Sequence, residues 1–322
     1  LKKARLYLII LLILSAFAAG CSSSSKSPAT TEKEKLTVYT TIYPLEDFAK
    51  KIGGEHVEVA SIYPPGADAH TYEPTQKVIL KIANSDLFIY NGAGMESFTN
   101  KLTDTLSKEN VKIVESTEGI SLIDHSHEHE EENEDGHDHD HGEEGHHHHN
   151  VDPHVWLDPV LAMHQANLIK EALIELKPDA EEDFKKNYAA IKKQFEELDN
   201  KFRETVEHGQ KKEILVAHEA YGYWEKRYGI KQISVTGLSP TNEPSQKKLA
   251  EIIEIAKEHE LNYIIFETFA TPKIADIVKK EIGAEILRMH HLSSQSEEDK
   301  KENKDYFDLM NENIETLQKA LQ

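Results

Sequence analysis

Cysteine is almost missing from this chain: among 322 residues only Cys21 is one. No internal disulfide can form, and no metal site can be built on thiolates. Positive charge is also scarce, with 37 Lys and Arg against 58 Asp and Glu and a formal net charge of −21. Nucleic-acid binding needs a basic footprint, so that class is excluded. Beyond the first residues there is no apolar run long enough to span a bilayer, so membrane contact is expected through a lipid alone.

What is present begins with Lys2, Lys3 and Arg5, followed by the hydrocarbon run Leu6–Leu14 and the small residues Ser15, Ala16, Ala18, Ala19 and Gly20. That order predicts a secretory signal over 1–20, and Gly20-Cys21 predicts a lipoprotein signal with Cys21 as lipid acceptor. The plainer alternative is an ordinary cleaved signal beside an incidental cysteine. Residues 21–35, rich in Ser, Thr and Lys, read as a flexible tether. The chain is thus expected on the extracytoplasmic face of the cell membrane, lipid-anchored.

Apolar runs then alternate with helical patterns. Strands are predicted over 36–44, 57–64, 86–91 and 111–115, and again over 213–217, 231–235, 262–266 and 284–288. Helices are predicted over 74–84, 96–107, 219–228, 244–260, 272–282 and 304–321, with another ending at Gly53-Gly54. Alternation of this kind predicts an α/β protein of two lobes, each a parallel sheet flanked by helices. The boundaries are 36–177 for the N-terminal lobe, with a histidine-rich loop over 124–150, and 210–322 for the C-terminal lobe. Between them Phe184, Tyr188, Ile191, Phe195, Leu198, Phe202 and Val206 recur every three or four residues. They form one stripe of a helix spanning 178–209. Pattern alone does not separate a strut between lobes from a helix packed on one of them; the strut is the expectation here.

Histidine carries the chemistry. Ten of the 19 lie in one tract: His125, His127, His129, His137, His139, His141, His146, His147, His148 and His149. Asp and Glu fill much of the rest, and no apolar side chain does, so the tract cannot bury a core. Imidazoles interleaved with acids offer many interchangeable sets of weak ligands. The bland reading is a solvated acidic insertion.

Four further loops place histidine just past an apolar run or a rigid turn. These are His70 in PPGADAHTYEP, His154 in VDPHVWLDP, His218 in AHEAYGYW, and the pair His290-His291 after AEILRM. Open α/β sheets bind ligands in such positions. Tyr72, Trp156, Tyr221 and Trp224 stand nearby to exclude water. His56, His208 and His259 sit among charged residues at element ends, and His164 lies within a helical pattern. Three imidazoles and one further group suit zinc. For the fourth ligand, His290 is the first choice, with His291, Glu267 and water as alternatives. Imidazole must be neutral to bind, so affinity is expected to fall as pH drops through about 6.

At TVYTTIYPLEDFAKKIGG, PPGADAHTYEPT, DPHVWLDP and VAHEAYGYW the chain resembles the cluster A-I substrate-binding lipoproteins of bacterial metal ABC importers, in their zinc-uptake (ZnuA-like) branch. The resemblance implies two α/β lobes joined by a rigid helix, with metal in the cleft between them. It implies His70 and His154 from the first lobe, His218 from the second, and an ABC permease as partner. Manganese binders of the group tend to carry carboxylates at the third and fourth positions, so His218 points to Zn2+. Relatives show an acid or water at the fourth position, where this chain has His290-His291.

Taken together, the expectation is a monomeric receptor for Zn2+, not an enzyme. A zinc hydrolase is disfavoured: His218-Glu219 is followed by Gly222, and His259-Glu260 by Tyr263, so neither completes H-E-x-x-H. A manganese-type receptor, or a buffer or adhesin using the tract alone, are the remaining alternatives.

Overall fold

The structure, a computed structural model, describes residues 35–124, 151–240, 244–267 and 273–322. Within them the strands form two four-stranded sheets. Leu36–Thr40 (β1), Val57–Ser61 (β2), Leu87–Tyr90 (β3) and Lys112–Glu115 (β4) run in the order β2-β1-β3-β4. Glu213–Val216 (β5), Lys231–Ser234 (β6), Tyr263–Glu267 (β7) and Glu285–Met289 (β8) repeat it as β6-β5-β7-β8. All pairings are parallel. Parallel neighbours need crossovers, which the intervening helices supply. In each sheet the winding reverses between the two central strands, so the loops leaving their carboxyl ends part and leave a crevice.

Local chemistry sets the elements. The apolar run predicted as a strand over 36–44 stops at Thr40, because Pro44 sits in the first turn of helix Tyr43–Gly53 (α1). Helices Gln76–Ala83 (α2) and Thr99–Leu106 (α3) complete the first crossovers. Asp158 caps the helix Pro159–Leu176 (α4), accepting from the amides of Val160 and Leu161. The proline-flanked motif before it folds into a single 3-10 turn, Val155–Leu157. In the second lobe come Gly222–Tyr228, Gln246–Glu258 and Lys273–Ile282, labelled α6 to α8. Glu297–Lys301 (α9) and Tyr306–Ala320 (α10) follow.

The helix between the lobes, α5, runs over Glu181–His208 after a 3-10 turn at Pro178–Ala180. Six of the seven stripe residues are buried on it, and Tyr188 is half-buried. Their partners come from both lobes. Phe195 meets Phe48 of α1 edge-on at 5.2 Å and Phe307 of α10 at 4.9 Å. Phe202 packs on Trp224 of α6 at 4.8 Å and stacks on Tyr228 at 5.3 Å. The helix thus joins the two lobes, as expected of the strut, and is packed against both. One continuous core joins α1, α4, α5, α6 and α10, while a second, smaller core lies between the far face of the second sheet and α7 and α8.

The segment 152–158 belongs to the first lobe by sequence and is held by the second. Tyr223 donates to the carbonyl of Asp152, Trp224 to that of Leu157 and Tyr306 to that of Trp156, each at 2.7 Å. Arg227 pairs with Asp158. In return the Trp156 indole donates to the carbonyl of His291 at 2.8 Å. Buried carbonyls left unpaired would be costly, so these bonds hold the lobes in one arrangement.

Candidate metal centre

Each of four histidines reaches the crevice from a different loop. His70 follows β2 in a Pro/Gly-rich turn, where its amide is held by Asp68 Oδ1 at 2.8 Å. His154 starts the 3-10 turn and is fully buried. His218 lies two residues past β5, and His291 two residues past β8. One nitrogen from each of His70, His154, His218 and His291 lies within 4.8 Å of the other three. The six ring-centroid separations run from 5.0 to 6.2 Å, so the rings stand roughly at the corners of a tetrahedron.

Outer groups decide which nitrogen faces inward. Asp152 Oδ1 is 2.8 Å from His154 Nδ1 and also accepts from the His154 amide. Ser293 Oγ is 2.9 Å from His291 Nδ1. Glu267 Oε1 is 2.8 Å from His218 Nδ1, although their alignment is poorer than a hydrogen bond requires. The Nε2 atoms are thereby left for the centre. Those of His218 and His291 are buried without a hydrogen-bond partner. The Nε2 atoms of His70 and His154 are 3.4 Å apart, close to the ~3.3 Å between imidazole nitrogens on one tetrahedral zinc. Orphaned nitrogens in this geometry fit a nitrogen-liking cation.

Electrostatics favours the neutral, metal-binding form of the rings. Burial, and then the neighbouring His218, lowers the His70 pKa from 6.5 to about 4. Burial, followed by the three facing histidines, holds His291 well below its usual range. Removing a charged imidazolium from water is the dominant penalty in both cases.

At the fourth position the two adjacent histidines part, and His291 stands with the other three. His290 does not join the group; its ring turns the other way, with Nε2 3.5 Å from Glu312 and Nδ1 3.9 Å from Asp299. Neighbouring residues on extended backbone point to opposite faces, so only one of the pair can enter the crevice. Asn313 fixes which one: it accepts from the His290 amide at 2.7 Å and donates to its carbonyl at 2.8 Å. Glu267, considered as a ligand, stands behind His218 instead. His56, His164, His208 and His259 are engaged by Asp183, the Glu118 carbonyl, the Glu204 carbonyl and Glu213. Cys21 and the ten histidines from His125 to His149 lie outside the described residues.

Asp152 and Ser293 escaped the sequence reading. An acid two residues before His154 in D-P-H was a usable sign, since ligating histidines commonly carry an outer carboxylate. Nothing in the sequence marked Ser293. Of the aromatics expected to exclude water, Trp156, Tyr221 and Trp224 are buried, and Trp156 lies against both His154 and His291 at 5.3 and 5.2 Å.

The model of the family "zinc-uptake complex component A, periplasmic" (ZnuA) matches residues 38–320. The chain is 36% identical to the high-affinity zinc uptake system protein ZnuA of Bacillus subtilis over 320 residues, 99% of this chain and 98% of that one. It is 35% identical to the zinc-binding lipoprotein AdcA of Streptococcus pneumoniae over 316 residues, 98% of this chain and 61% of the longer AdcA. Among solved structures, the Zn(II)-bound ZnuA-like domain of that AdcA is similar with a TM-score of 0.74 and 33% identity, over 89% of this chain and 99% of that one. The metal-dependent lipoprotein YcdH of Bacillus subtilis is similar with a TM-score of 0.75 and 33% identity, over 89% and 100%. Motif, winding and overall likeness agree, and the chain belongs to the ZnuA family of zinc-uptake components.

Proposed function

We propose that this protein is a receptor that captures Zn2+ outside the cell membrane and hands it to an ABC permease for import. The observation that carries the reading is the convergence of His70, His154, His218 and His291 on one point between the lobes. Four imidazoles would close the coordination shell of zinc, whereas a catalytic zinc keeps a position open for water or substrate. The group therefore suits holding an ion better than reacting through it, in keeping with a family of transport components. A donor set made of nitrogen alone also argues against a manganese-type receptor, because manganese prefers oxygen ligands.

Names among the relatives support the choice of metal: zinc uptake for the Bacillus subtilis protein, zinc binding for AdcA. The lipid anchor on Cys21, the extracytoplasmic position, the monomeric state and the five-part division of the chain belong to the same proposal. Delivery needs no bond chemistry; it needs a state of the receptor in which at least one imidazole is lost to the ion.

Calorimetric titration of zinc into the chain lacking residues 125–149 tests the reading. One tight equivalent is expected to survive, since the four histidines lie outside that tract. The short antiparallel bridge between Asp124 and Val151 makes the two ends easy to rejoin. Loss of tight binding would favour a buffer or adhesin that works through the tract.

A further inference from the structure

Four neutral imidazoles contribute no charge, so a dication among them would keep its full +2 in a space nearly closed to water. Burying a charge is expensive unless an opposite charge stands close. Two carboxylates lie just outside the histidines. Asp152 is engaged by the amide and ring of His154. Glu267 differs from it. It is the last residue of β7, only 5% exposed, and neither of its oxygens has a well-aligned hydrogen bond. Among the described residues its one ion-pair partner is His218, at 2.8 Å. No described lysine or arginine forms an ion pair with it. A carboxylate this buried and this weakly solvated is unfavourable in a purely structural role.

We propose that Glu267 is a positioning residue of the metal centre, supplying counter-charge to a bound divalent cation through His218 without touching the ion. Its carboxylate keeps the His218 proton on Nδ1, which leaves Nε2 as the donor atom. With Asp152 doing the same behind His154, two outer negative charges match the two positive charges of the ion. This inference rests on the zinc reading above.

The test uses the full chain with Glu267→Gln, which keeps the side chain's shape and removes its charge. Zinc affinity is read by competition with a chelator strong enough to silence the histidine-rich tract. Coordination is read from the d–d absorption of the Co2+-loaded protein. Zinc binding by Glu267→Gln is expected to weaken by roughly 10–100-fold, with the four-nitrogen Co2+ spectrum kept. Glu267→Asp, which retains the charge, should recover most of the loss. Affinity equal to wild type in Glu267→Gln overturns the proposal. So does an equal loss in both variants, or a Co2+ spectrum showing that an oxygen ligand has gone. Failure of the underlying reading would look different: the unaltered protein itself would bind no zinc tightly.

Discussion

Trp156 of the first lobe donates its indole N–H to the carbonyl of His291 in the second, at 2.8 Å. Its ring lies against the His154 and His291 imidazoles, and its own carbonyl receives the hydroxyl of Tyr306. One residue thus links two of the clustered histidines to each other and to α10. Trp156→Phe should leave the His291 carbonyl buried and unpaired, at a cost of about 1–3 kcal/mol in urea denaturation. Zinc affinity should fall with it. Unchanged stability would mean that the tie between lobes is of little weight.

The adjacent histidines offer a sharp contrast. His291→Ala should reduce zinc affinity by more than the roughly 10–100-fold typical of losing an outer-shell group. His290→Ala should leave affinity near wild type, because its ring faces Glu312 and Asp299. The reverse ranking in a chelator competition would return the fourth position to His290.

Acid dependence follows from burial. His70 takes up a proton near pH 4 in the folded protein, against 6.5 when exposed. Between those values protons bind the unfolded chain preferentially, so stability without metal should decline as pH falls below 6.5 and level off below about 4. For His70 alone the loss is of the order of 3 kcal/mol, and His291 acts in the same direction. At these two rings proton competition with zinc is likewise displaced below the pH of about 6 expected from ordinary imidazoles. Urea denaturation of the metal-free chain from pH 7.5 to 4 would reveal the window, and stability unchanged across it would contradict it.

Phe195 is the point where α5 meets both lobes at once, through Phe48, Tyr306 and Phe307. Phe195→Ala should cost about 3–5 kcal/mol. Because the core is continuous there, unfolding should remain a single transition when followed by tryptophan fluorescence and by circular dichroism. Two separated transitions would indicate lobes that fold independently.

The sequence by itself determined the alternation of strands and helices, the periodic stripe of α5, and three of the four clustered histidines. These follow from short-range rules: apolar periodicity marks the elements, and an open parallel sheet gathers the loops at its strand ends. Asp158, Pro159 and Pro44 set helix starts by local capping and backbone restriction, yet the apolar pattern carried the first strand through Pro44, four residues past its end at Thr40.

Only the tertiary structure decided the rest. His290 and His291 are equivalent in composition and differ only in which side of the backbone they occupy, and Asn313, 23 residues beyond His290, makes that choice. Whether α5 joins both lobes or packs on one depends on aromatic partners from both ends of the chain. The pairing of Glu267 with His218 arises because β5 and β7 are neighbours in the sheet, although 49 residues separate the two side chains. Contacts between distant segments depend on strand order and packing, and no local pattern of residues records them.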